Sequence, residues 1–149
     1  MKKIYPCLWF DGKAHEAAKY YVSIFPRSKI TAVTHHDKVA AKASGHRIGS
    51  VLTVEFRLDR EPFLALNGGP EFEFTEAVSM FVTCKDQQEV DRYWKKLTRG
   101  GKELPCGWLK DKFGLAWQIV PEILPKMLKQ SDTKKVERVW AGVFVETSK

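Results

Sequence analysis

A chain of 149 residues, 44% hydrophobic and 12% aromatic, is long enough to bury one substantial core and too apolar to stay disordered. Its apolar runs, such as those around Val51 and Leu115, fall far short of the roughly twenty residues that span a bilayer, and Met1 to Pro6 lacks an apolar signal core, so a cytoplasmic protein with no membrane partner is expected. The net charge of +7 is scattered, with mild enrichment only between His35 and Arg47 and between Lys126 and Arg138, which suits a solvated surface and makes no case for a nucleic-acid partner.

Ile4 to Phe10 reads as a first strand, broken at Asp11-Gly12. Ala14, Ala17, Ala18, Tyr21, Val22 and Phe25 then recur at helical spacing, and Pro26 ends that helix. A second strand is expected over Lys29 to His36, followed by a polar, mobile loop from Asp37 to Gly49. Ser50 to Asp59 alternates, with Leu52, Val54, Phe56 and Leu58 on one face and Thr53, Glu55 and Arg57 on the other. A turn at Asp59 to Pro62 leads into Phe63 to Leu66, which Asn67-Gly68-Gly69-Pro70 terminates.

The same order then recurs. Ala77 to Cys84 is a strand, and Asp86 is a good N-cap for a helix striped by Val90, Tyr93, Trp94 and Leu97, which Gly100-Gly101 stops. Lys102 to Leu104 is a short strand. Cys106 to Pro121 reads as a hairpin: Asp111 opens its turn, Gly114 supplies a φ > 0 position, and Leu115 to Val120 runs β-prone to a proline. In that last strand Leu115, Trp117 and Ile119 share one face and Ala116, Gln118 and Val120 the other, so Gln118 is polar among shielded neighbours. In the tail, Val136, Val139, Trp140, Val143 and Phe144 form an apolar helical stripe that either covers the core or docks on a second subunit.

The fold class is therefore α+β: one domain over 1–149, built from two β-α-β-β-β modules at about 1–70 and 75–121, with a helical tail at 122–149. The motifs Trp9-Phe10-Asp11-Gly12, Glu16-Ala17-Ala18-Lys19-Tyr20-Tyr21, Ala65-Leu66-Asn67-Gly68-Gly69-Pro70, Cys106 to Asp111 with Phe113-Gly114, and Trp117-Gln118-Ile119-Val120-Pro121 are those by which the chain resembles a known group. It resembles the PhnB-like branch, often labelled demethylubiquinone methyltransferase-like, of the vicinal oxygen chelate superfamily of glyoxalase I, bleomycin-resistance proteins and extradiol dioxygenases. The resemblance implies that each module curls its sheet into half of a cup around a ligand pocket; the homodimer expected rests on the Trp and Phe face of the tail, which is costly to leave wet.

In metal-dependent relatives, a divalent ion is held by inward positions on the first and last strands of each module. By motif these fall at Ser79 and Gln118, near Tyr5 or Pro6, and within Phe63 to Leu66. None offers a His, Asp or Glu, so no metal and no cofactor is expected. The methyltransferase label gains no support either, because Gly68-Gly69-Pro70 leaves a strand into a loop rather than into a helix that would cradle a methyl donor.

The ligand-binding residues expected are Cys7, Trp9, Ser79, Phe81, Trp108 and Gln118, with the aromatics as walls and Ser79 and Gln118 orienting a polar group. Ser79 and Gln118 are equally read as bonding each other inside a filled core. Glu55 and Arg57 are read as an exposed strand pair, and Trp117 as packing under a helix. The odd set Cys7, Cys84 and Cys106 has no C-x-x-C spacing, so reduced thiols are expected rather than a disulfide or a catalytic nucleophile. His15, His35, His36 and His46 are read as surface or loop residues, His35 or His36 at most reaching the cup rim. The leading functional expectation is a metal-free binder of a small, partly apolar molecule. The rivals are an enzyme of the same superfamily, a lyase, isomerase or transferase with any metal at unconventional positions, and an interaction protein working through its tail helix.

Overall fold

The structure is a computed structural model that describes residues 2–129 together with 134, 137 and 138. The chain divides into two compact units, Met1–Glu73 and Phe74–Lys149.

The first unit carries β1 (Cys7–Phe10), α1 (Ala14–Ile24), β2 (Lys29–His35), α2 (Lys38–Ser44), β3 (Val51–Leu58) and β4 (Glu61–Asn67). Its sheet runs β1-β4-β3-β2, with β1 parallel to β4 and the other pairs antiparallel. The alanines of α1 let the helix lie close on the sheet: Ala14, Ala17, Ala18 and Tyr21 are wholly buried, against Val54, Phe56 and Ala65 on the face that α1 covers. Each fully buried large side chain of this layer, such as Tyr21 or Phe56, contributes about 1.5–3 kcal/mol. Lys13 gives α1 no side-chain cap; Asn67, at the end of β4, accepts from the backbone N–H of Ala14 at 3.0 Å instead. Asn67 is 4% exposed, and its amide also donates to the carbonyl of Val51 at 3.0 Å. The residue that the sequence offers as a strand terminator is thus also the cap of a helix far away in the chain.

Two expectations for this unit need correction. The first strand starts at Cys7 rather than Ile4, which is 88% exposed, because Pro6, whose carbonyl accepts from Leu64 N, has no N–H with which to extend the ladder. The polar segment from Asp37 to Gly49 is not a loop throughout but holds α2, capped by Asp37, whose carboxylate accepts from Ala40 N at 2.8 Å, and closed by Gly45 at φ 77°. Seven residues are too few for a helix to stand alone in water, so α2 depends on its tertiary anchors.

The second unit repeats the order without a counterpart of α2, as β5 (Ser79–Cys84), α3 (Gln87–Thr98), β6 (Lys102–Glu103), β7 (Trp108–Lys110) and β8 (Ala116–Pro121), and adds α4 (Ile123–Leu128). Its sheet runs β5-β8-β7-β6, the same topology as the first, with β5 parallel to β8. Asp86 caps α3 by accepting from Glu89 N at 2.9 Å. Beneath α3 lie Leu109, Trp117, Ile119 and Cys84, with Tyr93 and Leu97 from the helix. The hairpin turn is organised by buried Asp111: one carboxylate oxygen accepts from Phe113 N at 2.8 Å and Leu115 N at 3.1 Å, the other from the Trp117 indole at 2.9 Å. Lys134, Glu137 and Arg138 are helical, and the expected apolar stripe Val136, Val139, Trp140, Val143 and Phe144 lies outside the described residues.

Candidate functional site: the sheet faces away from α1 and α3

Each sheet has one face packed on its helix and one face turned away from it, and the pairing registers fix which residues share the second face. In the second unit Phe81 lies beside Gln118, and Gln118 beside Trp108, so an aromatic, an amide and an aromatic form one row across β5, β8 and β7. Phe81 is 54% exposed, while Gln118 and Trp108 are half-buried. Ser79 stands two residues before Phe81 on the same face, and the Gln118 amide reaches diagonally to donate to its hydroxyl at 2.9 Å. The amide oxygen of Gln118 accepts no hydrogen bond among the described residues. Ala116 and Val120 flank Gln118 and are buried, so the polar group sits in an apolar strip.

Period-two alternation also puts Lys110 on this face, two residues from Trp108, where it pairs with Glu76 at 2.8 Å. The hydrogen bond from Lys110 holds the Glu76 carboxyl below its ordinary range. Lys110 is not among the expected site residues, although the alternation that places Trp108 on this face places Lys110 there as well.

In the first unit the face turned away from α1 carries Cys7, Trp9, Glu55, Arg57, Leu64 and Leu66. Counting back from the last helix-facing residues, Phe10 and Cys84, aligns Cys7 with Phe81 and Tyr5 with Ser79; the parallel registers then align Leu64 with Gln118. The row equivalent to Phe81, Gln118 and Trp108 is therefore Cys7, Leu64 and Glu55, far less aromatic. Trp9 donates its indole N–H to the carbonyl of Gly69 at 2.9 Å and meets Phe72 edge-on at 4.8 Å between ring centroids. The six residues expected to line a site thus fall into two groups, Ser79, Phe81, Trp108 and Gln118 on one sheet and Cys7 and Trp9 on the other.

One histidine differs from expectation. His36 is 2% exposed rather than at a surface. Its Nδ1–H donates to the carbonyl of Ser50 at 3.1 Å, and its Nε2 accepts from the Ser44 hydroxyl at 2.9 Å. His46 lies in the loop after α2, as expected, and its Nε2–H donates to Asp11 at 3.0 Å. Both rings serve to tie α2 and its flanks to the sheet. A side chain that closes a polar contact between segments distant in sequence leaves no periodic trace, which is why these roles were not legible.

In neither unit do the positions that the resemblance singles out suit a divalent ion. Tyr5, Leu64, Ser79 and Gln118 supply a phenol, an alkyl group, a hydroxyl and a neutral amide, and among the described residues no three His, Cys, Asp or Glu side chains converge.

The profile of the 3-demethylubiquinone-9 3-methyltransferase family matches residues 2–120. The chain belongs to that family, the PhnB-like branch of the glyoxalase and bleomycin-resistance superfamily. Among solved structures, the PhnB protein of Bacillus cereus is 31% identical, with 80% of this chain and 99% of that chain covered and a TM-score of 0.67. Protein PA1353 of Pseudomonas aeruginosa shares 17% identity over 81% of this chain and 98% of its own, with a TM-score of 0.59. A glyoxylase/bleomycin resistance protein/dioxygenase domain of Frankia sp. EAN1pec shares 13% over 81% and 93%, with a TM-score of 0.51, and so shares the fold. No curated protein sequence matches. The family's methyltransferase description finds no matching cradle here: β1 reaches α1 through Asp11-Gly12-Lys13, β5 reaches α3 through Lys85-Asp86, and neither sheet is the doubly wound parallel kind that holds a methyl-donor nucleotide.

Proposed function

We propose that this PhnB-like chain binds a small, partly apolar molecule against the row Phe81, Gln118 and Trp108. The observation that carries the reading is the half-buried Gln118 amide, tied to Ser79 through its NH2 group and presenting an unbonded oxygen between two aromatic side chains. A flat ligand gains apolar contact from Phe81 and Trp108 while donating one hydrogen bond to Gln118, the usual division of labour in small-molecule sites. The homodimer expected from the apolar tail face belongs to this reading as the assembly.

Calorimetry against a panel of aromatic compounds bearing a hydroxyl or amide donor decides the matter. A confirmed ligand should bind about tenfold more weakly to Trp108→Ala and to Gln118→Ala, each substitution removing about 1–2 kcal/mol of contact or hydrogen bond. A ligand whose affinity ignores both substitutions removes the proposed surface. Sedimentation velocity of the full chain decides the assembly.

A further inference from the structure

We propose that the far end of the first sheet, where β2, β3 and the β3–β4 turn meet, is a binding site for a compact oxyanion, a phosphate or carboxylate group. Lys29 and Arg57 are direct cross-strand neighbours on the face turned away from α1. Like charges in that relation repel, so the pairing destabilises the empty sheet. The turn beyond them is a two-residue connection, Asp59-Arg60, between paired Leu58 and Glu61, with φ of 46° and 69°. Such a turn favours Asn-Gly, because a side chain at positive φ is strained. Here the second position is an arginine, and Arg27, whose carbonyl accepts from Arg60 N at 2.9 Å, also sits at positive φ, 52°.

Two arginines thus occupy backbone that glycine or asparagine would hold at lower cost, beside a third arginine and a lysine. The acids nearby neutralise only Arg27 among them, and Lys29, Arg57 and Arg60 form no ion pair among the described residues. Asp59 is taken by Arg27, with its carboxylate accepting from the guanidinium Nε at 2.6 Å, and Glu61 is taken by Lys2. Glu55, two residues along β3 on the same face, forms no ion pair with Lys29 or Arg57. The Arg57 guanidinium is steadied by the Arg60 carbonyl, which accepts from Nη1 at 3.0 Å, and the rest of its N–H fork remains to donate. Strain and like-charge repulsion retained at one place are what an anion site would impose, since the ligand relieves the repulsion when it binds.

The site lies in the first unit and does not depend on the Gln118 row. The experiment measures the melting temperature of the full chain against inorganic phosphate and against malonate, with ionic strength held constant by sodium chloride. Expected is a saturable rise with at least one probe, the stronger probe assigning phosphate or carboxylate. Arg57→Gln should weaken that probe about tenfold, and Lys95→Gln, on α3, should leave it unchanged. Arg60→Gly should raise the melting temperature of the unliganded chain by relieving backbone strain while weakening the probe, a combination that a merely structural turn does not produce. A rise no greater than chloride gives, or one undiminished in both Arg57→Gln and Arg60→Gly, overturns the proposal. Loss of the response in Gln118→Ala, with Arg57→Gln still responding, would place the anion elsewhere and overturn it equally.

Discussion

The indole of Trp9 fills the space that a side chain on Gly68 would need: ring carbons lie 2.4 Å from where the Cβ would stand. Two motifs separated by most of the first unit, one at the end of β1 and one just past β4, are thereby locked together, and the Trp9 hydrogen bond to Gly69 fixes the ring's rotation. Gly68→Ala should cost about 1–3 kcal/mol through overpacking. Trp9→Phe should recover part of that loss, because a smaller ring vacates the contact. Chemical denaturation of the two single variants and the double variant reads the coupling, and strict additivity would deny the contact its role.

Asp111 holds the β7–β8 turn with hydrogen bonds to Phe113, Leu115 and the Trp117 indole while 3% exposed. Asp111→Ala should destabilise the chain by about 3 kcal/mol, since buried donors lose their acceptor. Asp111→Asn should cost less, about 2 kcal/mol: its one oxygen can still serve the turn amides, but its NH2 then faces the indole N–H. Unfolding free energies in that order support the account, and near-neutral variants would contradict it.

Cys84 is wholly buried, and burial, reinforced by the nearby Glu89 carboxylate, pushes its thiol up from 9.0 to about 11. The native thiol should therefore resist alkylation at pH 8, while exposed Cys7 reacts, slowed by a thiol that burial also raises. Between pH 9 and 11 the unfolded chain gives up the Cys84 proton and the folded chain keeps it. Stability should fall as pH rises through that window, by about 1–3 kcal/mol, and should not depend on this group below pH 9. Urea titrations of wild type and Cys84→Ala at pH 8 and 10.5 measure the difference.

His36 links β2 to α2 through Ser44 and to β3's approach through Ser50. Ser44→Ala leaves the Nε2 of a buried ring without its donor and should cost about 1–2 kcal/mol. The loss should appear as faster amide exchange in residues 38–44, with α1 unaffected. Uniform acceleration over the whole first unit would show that α2 is not separately anchored.

The alternation of Ser50 to Asp59 and of Leu115 to Val120, together with the helical stripes beginning at Ala14 and Val90, sufficed to give both β-α-β-β-β modules and to put Trp117 and Gln118 on opposite faces. Those periodicities are local, imposed by the backbone's own repeat, so they survive in sequence. What the tertiary structure alone decided is which distant residues meet. Asn67 caps α1 across 53 positions because strand β4 ends beside the helix start, His36 is buried by a helix too short to announce itself, and Phe81, Gln118 and Trp108 become a row only once β5 pairs parallel to β8. Hydrogen bonds and strand registers of that kind depend on distance in space, and no spacing along the chain encodes them.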